Sequence, residues 1–148
     1  MVSVSCSWNE KMKFVARSDG HEIEMDAKSP LGHDSAMTPK ELLLSGVTGC
    51  TGMDVVALLK KYQQTVEEFS IQADADLIEG SHPAIFSKIQ LTFKLKGKID
   101  SEKAIEAVHL SQSKYCSVSA MISKAVPIYY TIEVNGTEIG YGQSNFNI

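Results

Sequence analysis

The chain has 148 residues, 43% of them hydrophobic, and a formal net charge of −4; that is enough apolar material for one globular domain over residues 1–148 and too much for a disordered chain. Its pI near 5.5, and lysines scattered without any basic block, argue against a nucleic-acid partner, which needs a basic stripe. Three cysteines are an odd number and too few for a disulfide scaffold, and the alternating polar start of the chain is not a basic-then-apolar leader, so a reducing cytoplasm is the expected location.

Val2, Val4, Cys6 and Trp8 alternate with polar residues, as in a half-buried strand, which makes Cys6 a structural residue. Lys11 to Ala16 and His21 to Ala27, joined through Ser18-Asp19-Gly20, read as a hairpin. Residues 28–37 carry Pro, Gly, Asp and Ser and read as a loop. Thr38-Pro39-Lys40-Glu41 then opens a helix: Thr38 suits the cap, Pro39 the first helical position, and Glu41 can reach back to the cap. This helix is expected to run to about Tyr62. Residues 42–59 of it are apolar on nearly every side, about the minimum length for a membrane span. Asp54, three glycines, Ser45 and two threonines argue against a span, so no membrane partner is expected and the helix reads as buried all round. Gly46, Gly49 and Gly52 each cost roughly 1 kcal/mol against alanine. Close approach of another backbone would offset that, and a homodimer with glycine faces in contact is the economical arrangement.

Glu68 to Ile78 and Ile85 to Lys96 alternate as two strands. Asp100-Ser101 caps a helix predicted to run through Gln112, with Ile105, Val108 and His109 on one face. A short helix over residues 113–124 would hold Cys116 in its first turn, with Ser113 as cap. Pro127 to Val134 is a β-branched and aromatic strand, and Asn135-Gly136 is a two-residue hairpin turn leading into Thr137 to Tyr141. The order of elements is that of an α+β fold.

The candidate chemistry is sulfur chemistry. Cys50 lies mid-helix, where the helix dipole does little for a thiolate, and it reads either as a small buried hydrophobe or as a nucleophile. Asp54, one turn on, shares its face; an ionised carboxylate there would raise the thiol pKa, and a structural hydrogen bond or ion pair is the expected role for it. Cys116, in a first turn and next to Lys114, is placed to favour a thiolate. His21, His33, His82 and His109 show no metal-ligand spacing, so no metal and no cofactor is expected. Cysteine–histidine chemistry is open only to His109, seven residues before Cys116. Arg17, the only arginine, sits beside a turn and reads as solvent-exposed, although a forked cation is the usual partner of a reactive thiolate.

The segment Pro39-Lys40-Glu41-Leu42-Leu43-Leu44, followed by Thr48-Gly49-Cys50 and Met53-Asp54-Val55-Val56, resembles the first-cysteine helix of the OsmC/Ohr family, the osmotically inducible and organic-hydroperoxide-resistance proteins. Lys114-Tyr115-Cys116-Ser117-Val118-Ser119 resembles the second-cysteine helix of its OsmC-like branch. The resemblance spans roughly residues 8–134. It implies an intertwined homodimer, two long central cysteine helices wrapped by antiparallel sheets from both chains. It also implies a thiol-dependent peroxidase in which Cys50 attacks a small-molecule hydroperoxide, Cys116 resolves the sulfenic acid to a disulfide, and a dithiol reduces the product. Two positions depart from the family pattern. Lys40 stands where the peroxidases carry a glutamate after the proline. Lys11 or Lys13 falls where their arginine sits, with Arg17 several residues later. The alternative is a non-peroxidase dimer of the same fold that responds to redox state or binds a small ligand near Cys50.

Overall fold

The computed structural model describes residues 1–148, with elements in the order β1 (Ser5–Trp8), β2 (Phe14–Ser18), β3 (His21–Met25), α1 (Pro39–Lys61), β4 (Thr65–Leu77), β5 (Phe86–Lys98), α2 (Ser101–Leu110), a π turn (Ser111–Tyr115), α3 (Ser117–Ile122), β6 (Ile128–Val134) and β7 (Thr137–Gln143). It is a mixed α+β architecture of two sheets and a long helix. The chain divides into two compact units, Met1–Ser45 and Gly46–Ile148, with the boundary inside α1.

The first unit is an antiparallel β1-β2-β3 sheet. Asp19 and Gly20, with φ of 48° and 80°, make the left-handed pair that a two-residue hairpin turn needs. β2 buries Val15 and Ala16, whereas all four residues of β1 are exposed. The expectation of a structural, buried Cys6 is therefore corrected: Cys6 is a free, exposed thiol. Alternation buries a face only where another layer covers it, and β1 has no cover within this unit. In the loop after β3, buried Asp26 accepts hydrogen bonds from Ser35 Oγ at 2.7 Å, Ala27 N at 2.8 Å, and His33 N and Ser35 N at 3.2 Å each. Gly32 packs against this knot so closely that any side chain would overlap the Ala27 carbonyl and the Asp26 carboxylate. The predicted capping box opens α1: Thr38 N donates to Glu41 at 2.7 Å, and Glu41 N to Thr38 Oγ1 at 3.3 Å.

The second unit carries a sheet in the order β4-β5-β6-β7. β5 places Ile89, Leu91, Phe93 and Leu95 on one face, each at most 1% exposed. On neighbouring strands Phe69 stacks on Phe93 at 6.4 Å between ring centres, and Tyr130 meets Phe93 edge-on at 6.3 Å. The sheet is not antiparallel throughout. β6 runs parallel to β5, because the segment between them contains α2 and α3 and returns the chain by a crossover. α2 covers this end of the sheet, burying Ala104, Ala107 and Val108. Its cap is Asp100, as predicted, but it stops at Leu110 rather than Gln112.

Asp26 generates a prediction. Its four donors, Ser35 Oγ foremost, hold its carboxyl down to about 2, below the usual value of about 4. A carboxyl lowered by folding stabilises the folded state above its unfolded pKa, and that contribution disappears as the pH falls through the folded pKa. The stability difference between wild type and Asp26→Asn is expected to be full at pH 6 and to shrink between about pH 4 and pH 2. Urea titrations followed by the emission of Trp8, the single tryptophan, measure it.

Candidate active site

The site is built where α1 meets the π turn and the start of α3. Within its chain α1 buries one stripe only, Val47, Thr51, Val55 and Leu59, four residues apart as one helix face requires. The rest of the helix is not enclosed by its own chain: only 22% of the most apolar stretch is buried, and Leu43 and Met53 are exposed at 45% and 76%. By length and composition alone the helix could cross a membrane, yet its buried stripe includes a threonine hydrogen-bonded to other parts of this fold.

That threonine begins a buried polar network. Gln112 Nε2 donates to Thr51 Oγ1 at 2.8 Å and to Ser119 Oγ at 3.2 Å, and Gln112 Oε1 accepts from Ser144 Oγ. Thr51 Oγ1 lies 2.7 Å from Ser111 Oγ, which donates to Asp54 Oδ2 at 3.0 Å. The donors therefore run in one direction, from Gln112 through Thr51 and Ser111 to the carboxylate. The π turn makes this possible: the Cys116 N–H bonds Ser111 O at 2.9 Å, five residues back, and the widened turn lets Ser111 and Gln112 both point inward.

Cys116 departs from expectation. Ser113 is not a cap; its hydroxyl bonds back to His109 O at 2.7 Å. Cys116 is itself the cap of α3, its sulfur accepting from Ser119 N at 3.3 Å. Lys114 lies over the Tyr115 ring at 5.4 Å instead of pairing with the thiol. Cys116 is fully buried, and burial pushes its thiol up to about 11, against the opposing Ser119 bonds and with a further upward push from Cys50. The resting Cys116 is therefore a thiol, and the predicted helix-end activation is outweighed by desolvation.

The two cysteines do meet. Cys50 Sγ, Cys116 Sγ and an Asp54 oxygen lie within 4.8 Å of one another, and Cys50 Sγ is 4.0 Å from Ser117 Oγ. Cys50 is partly exposed where Cys116 is enclosed. Asp54 has the structural hydrogen bond expected of it, to Ser111, while burial raises its pKa above that of an ordinary aspartate. This trio is also the grouping that could hold a metal ion. None of the four histidines belongs to it; His109 instead faces Tyr130 Oη at 3.5 Å. A neighbouring thiol pair, one reachable and one buried, can pass between dithiol and disulfide, for which the sulfurs must close to about 2.05 Å.

The candidate cations are all in the Met1–Ser45 unit. Arg17 Nε bonds Glu22 at 3.1 Å and Nη1 bonds Ser7 Oγ at 3.0 Å, with half its side chain exposed, as read from sequence. Lys13 pairs with Glu24 at 3.5 Å, Lys11 reaches the Gly32 carbonyl at 3.3 Å, and Lys40 is exposed. Thr51, Ser111, Gln112, Ser119 and Ser144 escaped sequence reasoning. A signal existed for three of them: Thr51 continues the Val47–Val55–Leu59 spacing, and Ser111 and Gln112 follow Ala104, Ala107 and Val108 on the buried face of α2.

A family model for OsmC-like proteins matches residues 32–131. The chain belongs to the OsmC-like family. It is 37% identical over 129 residues to protein YhfA of Escherichia coli K12, spanning 86% of this chain and 93% of that one. Among solved structures, a hypothetical protein from Aquifex aeolicus VF5 is 30% identical with a TM-score of 0.82, covering 91% of this chain and 96% of that one. An organic hydroperoxide resistance protein from Elizabethkingia anophelis shares the OsmC-like fold with a TM-score of 0.68 at 17% identity, covering 91% and 96% of the two chains.

The burial order predicts thiol reactivity. With a chromogenic disulfide reagent at pH 8, Cys6 and Cys50 are expected to react in the native protein, and Cys116 only at the rate of unfolding or local opening. Cys6→Ser should remove one fast thiol. A native Cys116 reacting as fast as Cys6 would contradict its enclosure.

Proposed function

We propose that this chain is a thiol peroxidase that reduces organic hydroperoxides. Cys50 is the peroxidatic cysteine, Cys116 the resolving cysteine, and residues 1–148 act as one domain in a cytoplasmic homodimer. The observation that carries this reading is the placement of a reachable Cys50 sulfur within 4.8 Å of a buried Cys116 sulfur. The Cys50 thiolate attacks the terminal peroxide oxygen as the O–O bond breaks, giving a sulfenic acid and an alkoxide that takes a proton from water and leaves as the alcohol. Cys116 condenses with it to a disulfide and water, and an external dithiol restores both thiols. Kinship with a fold that includes a named organic hydroperoxide resistance protein supports the substrate class.

The homodimer is supported by what α1 leaves uncovered. Gly46 and Gly49 have open space beside them, and an apolar groove of about 630 Å³ runs along Gly49, Gly52, Met53, Val56, Phe69 and Ile71. A second copy laying its own α1 there would cover both. Arg17 and Lys40 favour a second reading, a redox-responsive or ligand-binding dimer without peroxidase activity: Arg17 is held by Glu22 and Ser7, and Lys40 stands in solvent.

Stopped-flow with cumene hydroperoxide and a dithiol separates the readings. One equivalent of peroxide should remove two thiols per chain from wild type and one from Cys116→Ser. With Cys50→Ser, turnover should fall to the uncatalysed rate. Equal consumption by wild type and Cys50→Ser ends the peroxidase reading, and a wild type that keeps its thiols favours the second.

The dimer has its own test. Each chain has room for a side chain at Gly46 and Gly49, and replacing a helical glycine removes a penalty of about 1 kcal/mol. Gly46→Leu/Gly49→Leu is thus expected to leave the single chain folded and to shift light-scattering mass from two chains to one. An unchanged mass would place any interface elsewhere.

A further inference from the structure

Within the proposed reaction, formation of the disulfide is the step for which the resting site is least prepared. Cys116 must attack as a thiolate, yet it is enclosed, it is a thiol at rest, and no lysine or arginine pairs with it. Its proton needs a nearby acceptor that is itself held in place. Asp54 has those properties. Its carboxylate oxygen lies within 4.8 Å of both sulfurs, a span that one water or a small side-chain shift bridges. Its other contact, Ser111 Oγ at 3.0 Å, is fixed by Thr51 and Gln112. No cation neutralises it; its surroundings are burial and the Ser111 hydroxyl. The titratable groups facing it are Cys50 on its own helix and Cys116 at the start of α3.

We propose that Asp54 is the general base and then the general acid of disulfide closure, taking the proton of Cys116 and returning it to the oxygen that leaves Cys50. This rests on the peroxidase reading. The Cys116 sulfur bonds to the Cys50 sulfur as the Cys50 S–O bond breaks. The Cys116 proton passes to Asp54, and Asp54 delivers it to the departing hydroxide, which leaves as water. Cys116 sulfur is oxidised, Cys50 sulfur is reduced from the sulfenic state, and Asp54 ends as it began. The raised pKa of Asp54 suits the role, since a base is more effective the nearer its pKa lies to the working pH.

The experiment is a single turnover with cumene hydroperoxide over pH 5 to 10. A sulfenic-acid probe reports the first step, and loss of the second thiol reports closure. Asp54→Asn, whose amide oxygen can still accept from Ser111, is expected still to form the Cys50 sulfenic acid, so that its closure can be timed separately. Its closure should slow by about 10²–10⁴-fold and should speed up tenfold per pH unit. Wild-type closure should show an acid limb and then a plateau, and Asp54→Glu should recover part of the rate. Closure by Asp54→Asn at the wild-type rate, or slowed with the wild-type pH profile, overturns the proposal while leaving peroxidase activity intact. If Asp54→Asn does not fold, the wild-type profile decides: a tenfold rise per unit without a plateau refutes Asp54 as the base. A wild type that forms no sulfenic acid removes the parent reading, and this proposal with it.

Discussion

Gln112 is a primary amide with 1% of its surface exposed, and a buried amide is tolerable only when its donors and acceptor are matched. Here they are matched across four separate parts of the chain: Thr51 on α1, Ser119 on α3, Ser144 after β7, and Gln112 itself in the π turn. No buried side-chain nitrogen or oxygen lacks a partner. The position of Cys116 follows from this satisfaction. If the π turn relaxed to a regular helix, Ser111 and Gln112 could not both reach α1, and the bond from Cys116 N to Ser111 O would be lost. The network therefore fixes the spacing between the helix that carries Cys50 and the turn that carries Cys116, with polar specificity that apolar packing alone would not supply.

The same arrangement makes the two thiols chemically unlike. Cys50 stands on the rim and Cys116 inside it, and desolvation is the larger influence on Cys116 even though its sulfur caps a helix. In the proposed peroxidase that burial is useful, because a Cys116 that ionised readily would compete with Cys50 for oxidant. Under the peroxidase reading, the order of events is set by access and desolvation, and a proton acceptor must come from within the cavity.

Much of the fold was legible in the residues. The Thr38–Glu41 box, the Asp19-Gly20 and Asn135-Gly136 turns and the alternation of β5 each encode their structure locally, and each formed as read. The cysteine pairing was legible only through the resemblance of two separate motifs, since nothing local says that residues 50 and 116 meet. What could not be read locally depended on a covering layer or on turn width. Cys6 alternates correctly but has nothing above it within its unit. Cys116 sits at a cap and not in a first turn because the chain after Leu110 continues as a π turn through Tyr115, where a helix end at Gln112 is expected, and this moves the start of α3 from Ser113 to Cys116. The parallel β5–β6 pairing followed from the crossover through α2 and α3, which strand patterning does not encode.

The energetics of α1 point beyond one chain. Gly52 is explained internally, since a side chain there would press on Ile71 Cδ1 at 3.3 Å. Gly46 and Gly49 are not, because each faces open space while weakening the helix by about 1 kcal/mol relative to alanine. The same helix exposes Leu43 and Met53, which water would otherwise solvate at a cost of about 25 cal/mol per Å² of apolar surface. Penalties of both kinds on one helix have a common remedy: a second surface that comes close where side chains are missing and covers the apolar ones beside them. In the proposed homodimer that surface is the partner's α1. Cys50 adjoins Gly49, so the partner would also form a wall of the cavity in which the thiol reacts. Assembly and catalysis would then draw on the same few residues, and the local cost of the glycines would be offset only in the assembled protein.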